Sequence, residues 1–163
     1  MEIQIYDLIF NLKINHFSHP IVSRFINDEA LRNQTSFKKE KKEFKINPKK
    51  IKNGYDQRTS MIIKGLPSIM DNRDLYSLIS LYTSNFDFLH IPKSAKETKQ
   101  FMYAFVNLTS PKALLSLYLG LISIKEKYKY YKGFNLSNLE ITYSKAQGRK
   151  SLIEQLDKYF NRL

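Results

Sequence analysis

The sequence contains no cysteine and only three histidines, and this scarcity excludes several kinds of chemistry. Without cysteine the chain can form no disulfide framework, thiolate nucleophile or cysteine-ligated zinc site, and nothing in it implies an oxidising compartment. The histidines, His16, His19 and His90, do not fall in a metal-binding pattern such as H-E-x-x-H. We therefore predict neither a metal site nor a cofactor.

Glycine is also scarce, because the chain has only five, and they are scattered. They form no glycine-rich phosphate loop, and no local motif suggests a Ser-His-Asp arrangement. Asp71 and Asp74 stand near a predicted helix start, where helix capping and the helix dipole explain acidic residues. We predict that the protein is not an enzyme.

Long apolar runs are absent as well. No run approaches the roughly 20 apolar residues of a membrane span. The first residues, MEIQIYDLIFNLKINHF, place Glu2 and Asp7 before the apolar part and lack the basic region and cleavage site of a signal peptide. We therefore predict a protein that is not secreted, does not bind a membrane, and is cytoplasmic or nuclear.

Positive charge is abundant. The chain has 27 Lys and Arg against 15 Asp and Glu, a net charge of +12 and a pI near 9.7. This balance favours a polyanionic partner, with nucleic acid ahead of an anionic membrane. Lys38 to Lys52 carries eight Lys against two Glu. Such a block is either a flexible connector or a nucleic-acid-binding arm.

The hydrophobic pattern from residue 59 onward predicts strands and helices in the order β-α-β-β-α-β. The strands are RTSMIIKGLP, FDFLHI, FMYAFVNL and LEITYSK, and the helices follow Asp71 or Asn72 and Ser110. This is the split βαβ plan of an α+β, ferredoxin-like domain, with a four-stranded antiparallel sheet and two helices on one face.

The sequence predicts four regions. They are an N-terminal extension that is partly helical (1–37), a basic connector (38–57), the ferredoxin-like domain (58–147) and a C-terminal helix (148–163). The helix is predicted because Leu152, Ile153, Leu156, Tyr159 and Phe160 fall on one helical face.

FMYAFVNL alternates between two kinds of side chain. A period of two places Met102, Ala104, Val106 and Leu108 toward the helices, and Phe101, Tyr103, Phe105 and Asn107 on the free face. Flat rings on a free face can stack on unpaired bases, at about 1–3 kcal/mol per base. Alternatively, the same rings are buried beneath the final helix or a partner protein.

FMYAFVNL also resembles the eight-residue motif of the RNA recognition motif, whose consensus is K/R-G-F/Y-G/A-F-V-x-F/Y. Tyr103, Ala104, Phe105 and Val106 match this consensus. On the first strand, MIIKGL places Ile62 where such domains usually have a second stacking aromatic.

Four segments extend the resemblance: KIKNGYDQRTSMIIKGLP, FDFLHIP, MYAFVNLTSP and YSKAQGRKSLI. In this order they resemble the C-terminal RNA recognition motif of the Mei-two-like family of RNA-binding meiosis regulators. Gly65 and Met102 depart from that pattern, which has Asn and Gly there. The resemblance implies an RNA-binding domain with a C-terminal helical extension.

The predicted RNA-binding residues lie on the free face or around it. On the sheet they are Tyr103, Phe105, Ile62, Phe88, His90 and Asn107, and around it they are Lys64, Lys99, Lys145, Arg149 and Lys150. Phosphate contacts from such basic residues position a strand without reading its sequence. The segment KEKYKYYKGF can also contact RNA, or its tyrosines can pack on the second helix.

These observations favour a protein that binds single-stranded or unpaired RNA and acts in post-transcriptional regulation. Two alternatives remain open. One is a protein-interaction module whose sheet is covered by the C-terminal helix, with a protein partner bound through that helix or the N-terminal extension. The other is a ribosomal or other ribonucleoprotein component that basic arms hold on rRNA.

Overall fold

A computed structural model of the chain describes residues 42–92 and 101–160, with side chains described as far as residue 158. The predicted N-terminal extension, the first part of the basic connector and Lys99 lie outside the described residues.

The described residues form one sheet with helices and a small hairpin. The helices are α1 (Pro48–Lys52), α2 (Asn72–Ser80), α3 (Pro111–Ser123) and α4 (Arg149–Phe160), and a π-helical turn (Ile124–Tyr128) follows α3. The strands are β1 (Ser60–Pro67), β2 (Phe86–His90), β3 (Phe101–Leu108), β4 (Tyr130–Tyr131), β5 (Phe134–Asn135) and β6 (Glu140–Tyr143).

The main sheet contains four strands in the spatial order β2-β3-β1-β6, and every pair is antiparallel. The short strands β4 and β5 pair with each other between α3 and β6. The predicted ferredoxin-like α+β fold is confirmed.

Helices α2 and α3 begin at side chains suited to capping. The Asp71 carboxylate accepts a hydrogen bond from the Asp74 backbone N–H, and the Asp74 carboxylate accepts one from the Asp71 backbone N–H. The Ser110 hydroxyl accepts a hydrogen bond from the Ala113 backbone N–H at the start of α3, and Pro111 occupies the first turn, where the missing N–H costs nothing. These caps explain why both helices start where the sequence predicts.

The core lies between the helices and one face of the sheet, as the alternation in β1 and β3 predicts. Burying these aliphatic side chains is the main stabilising contribution, at about 25 cal/mol per Å² of apolar surface. The fully buried members include Met61, Ile63, Ala104 and Val106 from the strands and Leu75, Leu78, Leu114 and Leu117 from the helices.

The described part of the predicted connector packs on this domain. Ile46 and Ile51 are buried in the core, while the lysines between them point to solvent. Lys45 forms a β-bridge with Thr142, and the Phe44 carbonyl accepts a hydrogen bond from the Tyr143 N–H at 2.8 Å. The chain before β1 therefore lies along the outer edge of β6.

Arg58, two residues before β1, forms an ion pair with Asp56 and a hydrogen bond to the preceding segment. The Arg58 guanidinium donates to both carboxylate oxygens of Asp56, at 2.9 and 2.7 Å, and to the Glu43 carbonyl at 3.1 Å. It also lies 3.7 Å from the centroid of the Tyr143 ring. The hydrogen bonds from Arg58 lower the pKa of the Asp56 carboxyl, and burial raises the pKa of the Tyr143 phenol.

Replacing Asp56 with asparagine is expected to lower the free energy of unfolding by about 1–3 kcal/mol at neutral pH, because the charged hydrogen bonds to Arg58 are lost. The folded pKa of Asp56 is depressed. Its stabilisation is therefore complete above the unfolded value of about 3.9 and is lost as the pH falls through the folded value. Urea unfolding of wild type and variant across this range should give curves that converge in acid. Asp157→Asn on α4 is the control, and a pH-independent difference would contradict the prediction.

Candidate nucleic-acid interface

The second face of the sheet carries the predicted binding residues. Residues paired directly across antiparallel strands place their side chains on the same face. The register pairs Ile62 with Phe105, Lys64 with Tyr103, His90 with Phe105 and Phe88 with Asn107. We call the group Ile62, Phe88, His90, Tyr103 and Phe105 the aromatic face.

Two rings on β3 lie at the centre of the aromatic face. Tyr103 and Phe105 form an edge-to-face pair with ring centroids 5.5 Å apart and an interplanar angle of 87°. Tyr103 is half-buried, whereas Phe105 is only 6% exposed and His90 only 2%. Of the two predicted stacking rings, Tyr103 is therefore the accessible one.

Helix α4 accounts for the burial of Phe105. Leu152 and Leu156, which are 1% and 6% exposed, form one hydrophobic cluster with Phe105. The half-buried residues Ile62, Phe88, Tyr103 and Ala146 pack around this cluster. The C-terminal helix therefore lies on the aromatic face. The alternating rings have two interpretations, and one of them is burial beneath the final helix. Phe105 is buried in this way, whereas Tyr103 is only half-buried.

Gln147 attaches the start of α4 to the first strand. Its side-chain oxygen accepts hydrogen bonds from the backbone N–H groups of Thr59 and Ser60, each at 2.9 Å. Its side-chain nitrogen donates to the carbonyls of Ser60 at 3.0 Å and Ser144 at 2.7 Å. The Gly148 N–H donates to the Ser60 hydroxyl at 2.8 Å. These bonds determine where the chain leaves β6 and enters α4.

Asn107 belongs to the same polar network. It is buried, and its side-chain oxygen accepts hydrogen bonds from the hydroxyls of Thr59 at 2.9 Å and Ser60 at 2.7 Å. Its side-chain nitrogen donates to the Asp87 carboxylate at 2.7 Å. The side chain thus satisfies buried polar groups within the domain, and its contact with RNA stays a prediction from the sequence.

The predicted basic residues are distributed unevenly. Lys64 lies half-buried on β1, paired with Tyr103 on one side and Glu140 on the other. Lys145 is exposed, and its ammonium lies 5.9 Å from the Phe44 ring centroid, on the side of the preceding segment. Lys64 therefore lies on the same face of the sheet as Tyr103 and Phe105.

The other two predicted cations begin α4. Arg149 is half-buried at the first position of the helix. Lys150 is exposed and lies 4.0 Å from the Glu154 carboxylate one turn later. Such an exposed pair contributes little to stability and leaves the ammonium accessible to a phosphate.

Gln147, Ser60 and Asp87 also position residues of the interface, and the sequence pattern does not predict this. The available signal is Asn107 itself, because a polar side chain on a strand within a packed sheet needs hydrogen-bond partners. Those partners are up to 48 residues away in the chain, in Thr59 and Ser60, so spacing alone does not reveal them.

Within 42–92 and 101–160, no three His, Asp or Glu side chains are grouped in a way that could hold a metal ion. None of the helices in this part of the chain is long and apolar enough to cross a membrane.

Comparison with known proteins identifies the family. Residues 58–157 match the model of the family RNA recognition motif 2. The chain is 31% identical over 115 residues to Protein MEI2-like 2 of Oryza sativa, and 31% identical over 113 residues to Protein MEI2-like 3 of Arabidopsis thaliana. These alignments cover 69% and 68% of this chain but only 13% and 14% of the relatives.

Among solved structures, the RNA recognition domains 1 and 2 of Sex-lethal from Drosophila melanogaster are 25% identical, with a TM-score of 0.36. That match covers 53% of this chain and 50% of the other. The match to the family model covers most of the described domain and confirms the resemblance found in the sequence. This chain belongs to the RNA recognition motif 2 family, and its domain is of the C-terminal type of the MEI2-like proteins.

Proposed function

We propose that the protein binds single-stranded or unpaired RNA on the aromatic face by base stacking. The observation that carries the proposal is the Tyr103 ring, which is half-buried, held edge-to-face by Phe105, and paired across the strands with Lys64. A ring held in this manner loses little conformational freedom when a base stacks on it. Lys64 supplies a cation for the adjacent phosphate.

Ile62 and Phe88 extend this surface on either side of β3. Both are half-buried and pack around Phe105. Ile62 offers apolar contact rather than ring stacking, so we assign most of the stacking energy to Tyr103. Phosphate contacts from Lys64, Arg149 and Lys150 would make the affinity fall as salt rises.

Helix α4 competes with RNA for part of this surface. Leu152 and Leu156 occupy the position on Phe105 that a second base would take. A base can therefore stack on Tyr103 while α4 stays in place, but stacking on Phe105 requires α4 to move away. In this proposal RNA binds in two steps, and the second step displaces the helix.

Replacing Tyr103 with alanine is expected to weaken binding of a fluorescently labelled, unstructured RNA by about 1–3 kcal/mol, because one stacked base loses its partner. Fluorescence anisotropy titrations at two salt concentrations measure the effect. Tyr76→Ala is the matched control, because Tyr76 is an exposed tyrosine on α2, which packs on the opposite side of the sheet. Equal affinities of wild type and Tyr103→Ala would contradict the proposal.

A protein-interaction module is the second candidate, and the cluster of Phe105, Leu152 and Leu156 is the observation that favours it. A sheet closed by its own helix leaves the other surfaces of the domain for a protein partner. The two candidates differ in one measurable property. If the full chain and a variant with a weakened α4 both fail to bind RNA at low salt, the protein-interaction function is favoured.

A further inference from the structure

A short hairpin between α3 and β6 presents tyrosines to solvent. It comprises the π-helical turn and the strands β4 and β5, residues 124–135, and we call it the tyrosine hairpin. Tyr128 is 69% exposed and Tyr130 is 61% exposed. Large rings that stay this exposed on a folded domain, two positions apart, are candidates for contact with a partner.

The backbone of the tyrosine hairpin is held in a defined shape. The Lys129 N–H donates to the Ile124 carbonyl at 2.6 Å, and the Leu136 N–H donates to the Lys129 carbonyl at 2.7 Å. Lys129 and Lys132 have φ values of +62° and +46°, which lysine rarely adopts. Such a conformation persists only when the surrounding structure imposes it, so the backbone that carries the exposed rings is preorganised.

Two further rings attach the hairpin to the domain. Tyr131 and Phe134 are half-buried and pack against the core between the helices and the sheet. They do not belong to the cluster beneath α4, which contains Phe105, Leu152 and Leu156. The tyrosine hairpin is therefore a surface separate from the aromatic face, and α4 does not pack with it in the same cluster.

The charge of the hairpin indicates the kind of partner. The exposed rings alternate with Lys127, Lys129 and Lys132, all of them exposed, and the Lys132 ammonium lies 5.4 Å from the Tyr131 ring centroid. Protein interfaces are depleted in lysine at their centres. Surfaces that bind single-stranded nucleic acid instead combine cations for the backbone with rings for the bases.

We propose that the tyrosine hairpin is a second contact site for single-stranded RNA, in which bases stack on Tyr128 and Tyr130 and phosphates lie against Lys127, Lys129 and Lys132. The inference rests on the proposed RNA-binding function and extends it: one RNA strand contacts the aromatic face and then the hairpin. An RNA too short to reach both surfaces gains nothing from the second one.

The test compares two unstructured RNA probes, of about 6 and about 20 nucleotides, because binding sites for single strands span roughly 4–16 nucleotides. The full chain is compared with the double variant Tyr128→Ala and Tyr130→Ala and with its conservative counterpart Tyr128→Phe and Tyr130→Phe. We expect the alanine variant to bind the long RNA at least about tenfold more weakly and the short RNA with nearly unchanged affinity. The phenylalanine variant keeps the rings and should bind like wild type.

The outcomes separate this inference from the proposed function. If Tyr103→Ala weakens binding of both RNAs while Tyr128→Ala and Tyr130→Ala weaken neither, the hairpin site is wrong and the aromatic face stands. That result would favour a protein as the partner of the hairpin. If the alanine pair weakens binding of the long RNA while Tyr103→Ala has no effect, the aromatic face is wrong and the hairpin stands.

A charge variant keeps the test valid if the alanine pair alters folding. Lys127→Gln leaves both rings in place and removes one cation. It should reduce the slope of log affinity against log salt by about 0.7 for the long RNA, the value expected for one lost phosphate contact to a single strand. An unchanged slope would overturn a phosphate contact at this residue.

Discussion

Replacing Gly65 with alanine is expected to lower the free energy of unfolding by about 2–4 kcal/mol, with a matching fall in the urea midpoint. Gly65 has a φ of +79° at a bulge in the pairing of β1 with β3. A Cβ added there would meet the backbone carbonyl of Asn138, which cannot rotate away as a flexible side chain would. The variant therefore bears both an unfavourable backbone conformation and a clash with the chain that enters β6.

Gly133 provides the matched control. It has a φ of +85° in the hairpin, but an added Cβ would meet nothing within 4 Å. Gly133→Ala therefore bears only the conformational cost, about 1–2 kcal/mol. Chemical denaturation of both variants separates the two contributions. Equal losses of stability would contradict the argument that the Asn138 carbonyl makes Gly65 necessary.

Replacing both Leu152 and Leu156 with serine is expected to raise the affinity for single-stranded RNA by about 10- to 100-fold. Binding to a site that is closed in most molecules is weakened by the fraction of molecules that are open. The two leucines are almost fully buried on Phe105, so their replacement removes most of the apolar contact that holds α4 on the aromatic face. Anisotropy titrations of the double variant with a labelled RNA give the affinity directly.

Gln155→Ser is the control for this variant, because it shortens an uncharged side chain on the same helix without removing a member of the cluster on Phe105. Its RNA affinity should equal that of wild type. Weaker binding by the double serine variant would mean that α4 is part of the RNA-binding surface. An unchanged affinity would mean that RNA does not use Phe105.

The sequence predicts the fold of the described domain well, because the decisive signals are local. Alternation on β3 identifies Ala104, Val106 and Leu108 as core residues, and Ser110 followed by Pro111 marks the start of α3. Each of these features depends on residues a few positions apart. Such patterns keep their meaning wherever the element packs.

The coverage of the aromatic face could not be predicted in the same way. An amphipathic pattern indicates that α4 packs on something, but not on which surface. The direction of the helix depends on the hydrogen bonds of Gln147 to residues 59 and 60, some 88 positions earlier, and on Gly148, whose φ is +85°. Once α4 is placed in this way, its Leu152 and Leu156 bury Phe105 and leave Tyr103 half-buried, although both rings occupy the same face of β3.

The short bridge between Lys45 and Thr142 has a consequence for where the folding unit begins. Without residues 44 and 45, the outer edge of β6 would present unpaired backbone groups, and an exposed strand edge invites pairing between molecules. The family match begins at residue 58, after Ile46 and Ile51, which are both buried in the core. We therefore expect a fragment cut at that family boundary to lose two core side chains and to gain a surface that promotes aggregation, and we expect the folding unit to extend upstream through residues 44–57.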